Sequence, residues 1–249
     1  MRAGGPRHGL ARTLSKLGVC SRTQAAQWIN EGRVRVDGRV QRDPEFPIVA
    51  GRARISIDDR DVDAPKYTYL MLNKPRGLVT TARDEQGRET VYRCLDGVGL
   101  PWLAPVGRLD KASEGLLLFT NDPVWAARIT DPVTGPDKTY HVQVDHVPDA
   151  AVLSQMQAGA DCGGDMLRAK EARLLRVGGR NAWLEIVLDE GRNRQIRRLL
   201  AAHEVNVLRL VRVAIGSLPL GPLQKSKWRL LESSEVAALA PRATDQLER

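Results

Sequence analysis

The sequence predicts an α+β chain in two domains, a small one over residues 1–60 and a larger one over residues 67–231. Three observations carry that expectation. Strand-like and helix-like segments are interspersed without the strict β-α-β succession of a doubly wound sheet. Leu116 to Phe119 is a wholly apolar run, short enough to be a strand buried on both faces. Asp58 to Lys66 has few apolar residues and a proline, so it reads as a linker, placed at residues 61–66.

Composition narrows the partners. A chain of 249 residues with a net charge of +8 suits a polyanion, although charge alone does not separate nucleic acid from an anionic membrane surface. Twelve Lys and Arg face six Asp and Glu in residues 1–60, which places six of the eight net charges there. No apolar stretch has membrane-spanning length, and Met1 to His8 lacks a signal-peptide layout. Cys20, Cys94 and Cys162 are odd in number and far apart, and no His-x-x-x-His pair occurs. The expectation is a metal-free cytoplasmic protein with no membrane partner.

In chain order, residues 1–9 read as a mobile basic tail. Leu10 to Leu17 reads as a short helix closed by Gly18, and Ser21 with Gln24 as the capping box of a second helix that ends at Gly32. Val34, Val36 and Val40 alternate around Asp37-Gly38, the signal of a type I′ hairpin. Ile55 and Ile57 give one more strand. Tyr67 to Asn73 is a strand, Lys74-Pro75-Arg76-Gly77 a turn and Leu78 to Thr81 a further extended segment.

Past the apolar run, Asp122-Pro123 starts a helix, Lys138 to Val144 alternates like a half-buried strand, and Asp149 caps a helix over Ala150 to Gln157. Ala182 to Leu188, Val207 to Ile215 and Trp228 to Leu231 read as strands. Ile196, Leu199, Leu200 and His203 form the apolar stripe of a helix, with Arg194, Arg197 and Arg198 on an adjoining face near its start. Cations crowded at a positive helix end point to an anion, either a carboxylate or a phosphate. Residues 232–249 read as a peripheral tail.

Pro105 to Asn121 sets one carboxylate, Asp110, among turn residues just before the apolar run. Spacing alone leaves two readings open: a turn acceptor in a surface loop, or a carboxylate tuned by the core beside it. Gly107-Arg108-Leu109-Asp110, within Pro-Val-Gly-Arg-Leu-Asp-x-x-Ser-Glu-Gly-Leu-Leu, resembles the catalytic motif of RNA pseudouridine synthases, in the RsuA-like bacterial ribosomal-RNA branch. Leu-Ser-Lys-Leu-Gly-Val-Cys-Ser-Arg, followed by Gly-Arg-Val-Arg-Val-Asp-Gly, resembles the S-four RNA-binding domain, in which two short helices and a hairpin face folded RNA.

The resemblance implies a mixed, mainly antiparallel sheet in the larger domain, and a cofactor-free isomerisation of uridine in ribosomal RNA or an assembling ribosomal subunit by a monomer. By motif position it implies Asp110 as the catalytic carboxylate, either nucleophile or ribose base, with Arg197 paired to it. Tyr140 would stack on the flipped uracil and Ile196 would cover the opposite face. Arg108 would fill the gap left in the RNA. Lys138 would serve a phosphate or the structure, and Lys74 and Pro75 would be structural. Arg12, Lys16, Arg22, Arg33 and Arg35 would face phosphates, as would Arg194 and Arg198. Glu114, at a loop position variable in this branch, receives no role. Two rivals are a non-catalytic ribosome-assembly factor and an aminoacyl-tRNA synthetase carrying the same small domain. The latter is disfavoured by the absence of His-Ile-Gly-His and Lys-Met-Ser-Lys-Ser signatures.

Overall fold

The computed structural model describes residues 7–49, 53–63, 66–82, 84–97 and 99–240. The chain divides into two compact units. One is built on the residues up to Tyr69, with Gly97–Ala104 and Phe119–Pro123; the other is built on Leu70–Asp96, Pro105–Leu118 and the residues from Val124 on.

The first unit runs β1 (Arg7–Gly9), α1 (Leu10–Lys16), α2 (Arg22–Asn30), β2 (Val34–Val36), β3 (Arg39–Gln41), β4 (Pro47–Val49), β5 (Ile55–Ile57) and β6 (Arg60–Asp61). Leu10, Leu14, Ala25, Ile29 and Val34 are fully buried together in its core. Asp37 and Gly38 both take positive φ, as a two-residue type I′ turn requires. Ser21 caps α2 by accepting from Gln24 N at 3.1 Å, but the Gln24 side chain donates to Gln27 rather than returning to Ser21, so only half of the expected capping box forms.

Two boundary expectations are corrected. The tail does not extend to Gly9: Arg7–Gly9 pairs antiparallel with Pro47–Val49, and ladder bonding holds a segment whose composition alone suggests disorder. The remainder of that tail, residues 1–6, lies outside the described residues. The linker does not begin at Asp61, because Asp58 and Asp59, both at positive φ, turn a hairpin that pairs Asp61 with Ser56. Aspartate tolerates this left-handed backbone better than most residues. The acidic run is neutralised there by Arg33, Arg35 and Arg54, which bind Asp58, Asp59 and Asp61.

The second unit carries a nine-stranded mixed sheet. Its elements are β7 (Tyr69–Lys74), β8 (Ala104–Val106), β9 (Glu114–Thr120), α3 (Pro123–Thr130), β10 (Lys138–Val144), α4 (Ala150–Ala158), β11 (Ala160–Asp161), β12 (Met166–Leu167), β13 (Glu171–Val177), β14 (Ala182–Leu188), α5 (Gln195–Ala201), β15 (Val207–Ile215), β16 (Leu218–Pro219), β17 (Trp228–Leu230) and α6 (Ser233–Leu239). The strand order is β13-β14-β10-β15-β9-β7-β17, with β16 beside β15 and β8 beside β9. Antiparallel ladders join β13–β14, β14–β10, β10–β15 and β7–β17, whereas β15 meets β9 in parallel.

Leu116, Leu117, Leu118 and Phe119 are completely buried on central strand β9, each burial contributing about 1.5–3 kcal/mol. The strand is longer than the apolar run, because Glu114 and Gly115 belong to it. Leu78 to Thr81 is not a strand; Val79 makes only an isolated bridge to Thr90. Edge strand β13 carries few buried side chains, so no clean alternation announces it. His203 lies beyond the end of α5, which is capped at Ala202.

The expected peripheral tail starts as structure. Glu232 and Glu235 form a reciprocal capping box on α6, Leu239 is buried, and Trp125 Nε1 donates to Val236 O at 3.0 Å. Among the described residues, no helix is long and apolar enough to cross a membrane.

Candidate active site

Alternation along the central strands builds the cleft. On β14, Leu184, Ile186 and Leu188 face inward; on β10, Val142 and Val144 do the same and join one core with Leu199 and Leu200 of α5. Lys138 and Tyr140 continue the inward face of β10 past the end of that core, where they line a cleft of about 560 Å³. Arg108, Asp110, Arg194, Ile196 and Arg197 line the same cleft, so the expected site residues of the larger domain converge there, Arg198 excepted. A second hollow of about 410 Å³ shares Arg108, Leu109 and Asp110 with the first and continues toward Val79, Asp84 and Arg88.

The loop that carries Asp110 is pinned through its backbone. The Thr80 hydroxyl donates to Leu109 O at 2.7 Å and accepts from Leu109 N at 3.3 Å. Gly77 N donates to Lys111 O at 2.8 Å, and Ser113 N donates to Asp110 O at 2.9 Å. Lys74, fully buried, donates its three ammonium protons to Pro75 O, Asp110 O and Ser113 O at 3.2, 3.1 and 2.8 Å. Burial pushes its pKa down to about 8, against the opposing pull of Asp110 and Glu114. With its backbone fixed in this way, the exposed Asp110 carboxylate takes no hydrogen bond or ion pair among the described residues.

Arg197 reaches this loop by a different route from the one the motif implies. Its guanidinium donates to Ala112 O at 3.2 Å and Val207 O at 3.5 Å, so it grips the Asp110 loop through the backbone rather than closing an ion pair on the carboxylate. Burial and the nearby Arg194 charge lower its pKa, and the charge of Asp110 opposes them. The start of α5 is shaped by Gln195, which is buried and spans Arg192 N, Glu190 and Arg168 O, while Arg194 takes positive φ at the cap. That turn leaves Arg194 exposed at the cleft. It sends Arg198 away, to Cys162 O and to Asp165 at 2.8 Å.

Lys138 is half-buried, and burial together with the charge of Arg212 lowers its pKa. Ile196 is buried and Tyr140 partly so, both against the cleft.

In the first unit, Arg22 binds Glu45, Arg33 binds Asp58 and Glu31, and Arg35 binds Asp59, all on exposed side chains. Arg12 has no carboxylate partner among the described residues, and Lys16 meets only His8, at 2.8 Å. Partial desolvation and the cations Lys16 and Arg12 lower the His8 pKa.

Sequence reasoning missed two charged residues. Glu114, given no role, opens β9 with its side chain 5% exposed and binds Arg209 at 2.8 Å and Lys225 at 2.6 Å. Burial works to raise its pKa, and these partners outweigh that and lower it. Arg212 is buried on β15 and lines the cleft. The available signal was a pair of arginines, Arg209 and Arg212, within the otherwise apolar strand Val207–Ile215.

A pinned loop that presents Asp110, unpaired among the described residues, to a cleft rich in cations and holding Tyr140 has the layout of an active site. The chain belongs to the RNA pseudouridylate synthase family, whose profile matches residues 68–202; residues 9–52 match the S4 domain. It is 37% identical over 233 residues to an uncharacterised RNA pseudouridine synthase of Aquifex aeolicus, covering 91% of each chain. It is 32% identical to ribosomal large subunit pseudouridine synthase B of Bacillus subtilis, covering 92% of this chain and 94% of that one. A crystal structure of a pseudouridylate synthase superposes with a TM-score of 0.64 at 29% identity, covering 94% of this chain and 100% of that chain.

Proposed function

We propose that this enzyme isomerises a specific uridine of ribosomal RNA to pseudouridine, with Asp110 as the catalytic carboxylate. The observation that carries the reading is the Asp110 carboxylate itself, without a partner among the described residues, in a cleft shared with Tyr140 and Arg197. The uridine flips into the cleft and Arg108 takes its place in the RNA. Asp110 acts at the ribose, as nucleophile at C1′ or as base at C2′. The C1′–N1 bond breaks with its electron pair on uracil, and the base turns between Tyr140 and Ile196. The C5–C1′ bond then forms as the Asp110–C1′ bond breaks, or as C2′ regains its proton from Asp110, and the C5 proton is lost while N1 gains one. Arg197 supports the carboxylate, Lys138 serves a phosphate or the cleft wall, and Arg194 meets RNA phosphate.

Ribosomal RNA is favoured by the relative from Bacillus subtilis, whose name specifies the large ribosomal subunit. The first 60 residues act as a helix-and-hairpin RNA-binding domain through Arg12, Lys16, Arg22, Arg33 and Arg35, with Arg198 as a further contact. Residues 67–231 hold the chemistry, and the protein works as a cytoplasmic monomer on rRNA or an assembling subunit.

The test is isomerisation of uridine in rRNA lacking modifications, read by carbodiimide-dependent primer stops, with wild type beside Asp110→Asn. The expected result is a single new stop with wild type only, and RNA affinity within a few-fold for the variant. Tight binding without a stop, on naked rRNA and on assembling subunits alike, would instead favour a non-catalytic assembly factor.

A further inference from the structure

Arg212 is 5% exposed. Nε donates to Leu116 O on β9 at 2.8 Å, which fixes the plane of the group. Nη2 is buried and has no hydrogen-bond partner among the described residues. A buried charged donor without an acceptor is costly, and most native structures avoid one. The residue lines the cleft of Asp110, Tyr140 and Arg197. It also stands directly across the β10–β15 ladder from Tyr140, so the two side chains share one face of the sheet. Its charge also lowers the pKa of both Lys74 and Lys138, so positive charge is concentrated around it.

We propose that Arg212 is a further catalytic residue, whose Nη2 donates to a carbonyl oxygen of the detached uracil and stabilises the negative charge the base carries when the glycosidic bond breaks. This rests on the reading that a uridine enters the cleft. A planar base stacked on Tyr140 projects its edge toward the cross-strand neighbour, which is Arg212. Uracil leaves with the C1′–N1 electron pair, and that charge spreads onto its carbonyl oxygens. Arg212 remains protonated throughout; the charge is quenched when C5 bonds to C1′, and the C5 proton then departs as N1 takes one up. The requirement is the same whether Asp110 attacks C1′ or removes a ribose proton, because the base leaves as an anion on both routes. A donor already oriented and desolvated where charge develops gives strong stabilisation of the transition state.

The experiment uses full-length enzyme and an RNA fragment containing the uridine mapped above, under single-turnover conditions. Arg212→Gln should slow uridine isomerisation by roughly 100-fold with RNA affinity within a few-fold, as for loss of an oxyanion donor. The same RNA with 5-fluorouridine at the target supplies a base that leaves more readily. On it, the loss of bond cleavage, read by nuclease digestion and chromatography, should be several-fold smaller. Arg212→Lys, which keeps a cation, should recover part of the uridine rate; it also serves alone if the Gln variant does not melt cooperatively. Full activity in the variants, or the same loss on both substrates, would overturn the proposal and leave Arg212 as a tie between β15 and β9. A wild type that modifies no rRNA would defeat the functional reading itself, a failure visible before any variant is made.

Discussion

The Lys74 ammonium donates to the backbone carbonyl of Asp110 at 3.1 Å. Its other two protons go to Pro75 O and Ser113 O, so one buried cation fastens the strand end to both sides of the Asp110 loop. The Asp110 side chain, by contrast, takes no hydrogen bond or ion pair among the described residues. Lys74→Met should leave three carbonyls without their donor and destabilise the fold by about 1–3 kcal/mol. It should also lower the isomerisation rate by up to about 100-fold through misplacement of the carboxylate. Urea unfolding and single-turnover kinetics measure the two effects, and an unchanged rate would show that the loop holds without this cation.

Lys74 also predicts a pH dependence with a definite sign. Its pKa is pushed from 10.5 down to about 8, chiefly by burial. Between those values the unfolded chain holds the proton and the folded chain does not, so unfolding free energy rises with pH across that window. The contribution is complete above the unfolded value and is lost as pH falls through the folded one. The difference in stability between wild type and Lys74→Met should therefore grow in favour of wild type from the lower to the upper end of the window. A flat difference would exclude the titration of Lys74.

Gly115 on β9 has a φ of +103°, and a Cβ there would stand 2.2 Å from Arg212 O on β15. Gly77 has a φ of +101°, but nothing lies within 4 Å of the Cβ it would gain. Gly115→Ala therefore carries both backbone strain and a backbone clash that forces two central strands apart, for an expected loss of about 3 kcal/mol or more. Gly77→Ala should lose only about 1–2 kcal/mol, from strain alone. Equal losses in urea unfolding would mean that the β9–β15 contact is not tight.

The sequence made the central elements legible where period and capping agree. Ala182–Leu188 and Val207–Ile215 are strands over the expected bounds, and Asp149 caps α4 by accepting from Val152 N at 2.8 Å. What stayed hidden depends on partners distant in sequence. Asp58 and Asp59 look like linker charges until Arg33 and Arg35 are opposite them. Glu114 looks like a loop residue until Arg209, 95 positions away, closes on it. The motif brought Asp110, Tyr140, Ile196 and Arg197 to one cleft, but it could not show that Arg197 would grip backbone or that Arg212 would lack an acceptor.

Glu114 gives an acid-side prediction. Its buried carboxyl has a folded pKa below the ordinary 4.5, because Arg209 and Lys225 outweigh the burial that opposes them. The resulting stability is present above the unfolded value and is lost as pH falls through the folded one. Glu114→Gln should destabilise by about 1–3 kcal/mol at neutral pH, less than a fully buried pair would, since both cations can turn to solvent. The gap between variant and wild type should close in acid. A gap independent of pH would point to packing rather than charge.

The first unit predicts unequal contributions to RNA binding from its cations. Arg33 is held by Asp58 and Glu31, so in free protein its charge is already compensated. Arg12 and Lys16 form a patch with His8 that has no carboxylate among the described residues. Each phosphate contact adds about one to the slope of log affinity against log salt. Arg12→Ala combined with Lys16→Ala should therefore flatten the salt dependence by about two. Arg33→Ala should change it by less than about one, because Asp58 and Glu31 already compensate the charge of Arg33 and compete with phosphate for it. Affinities measured across a salt series decide between them. An unchanged slope in the double variant would remove the Arg12–Lys16 face from the RNA interface, whereas a large change in Arg33→Ala would mean that the Asp58 pair opens on binding.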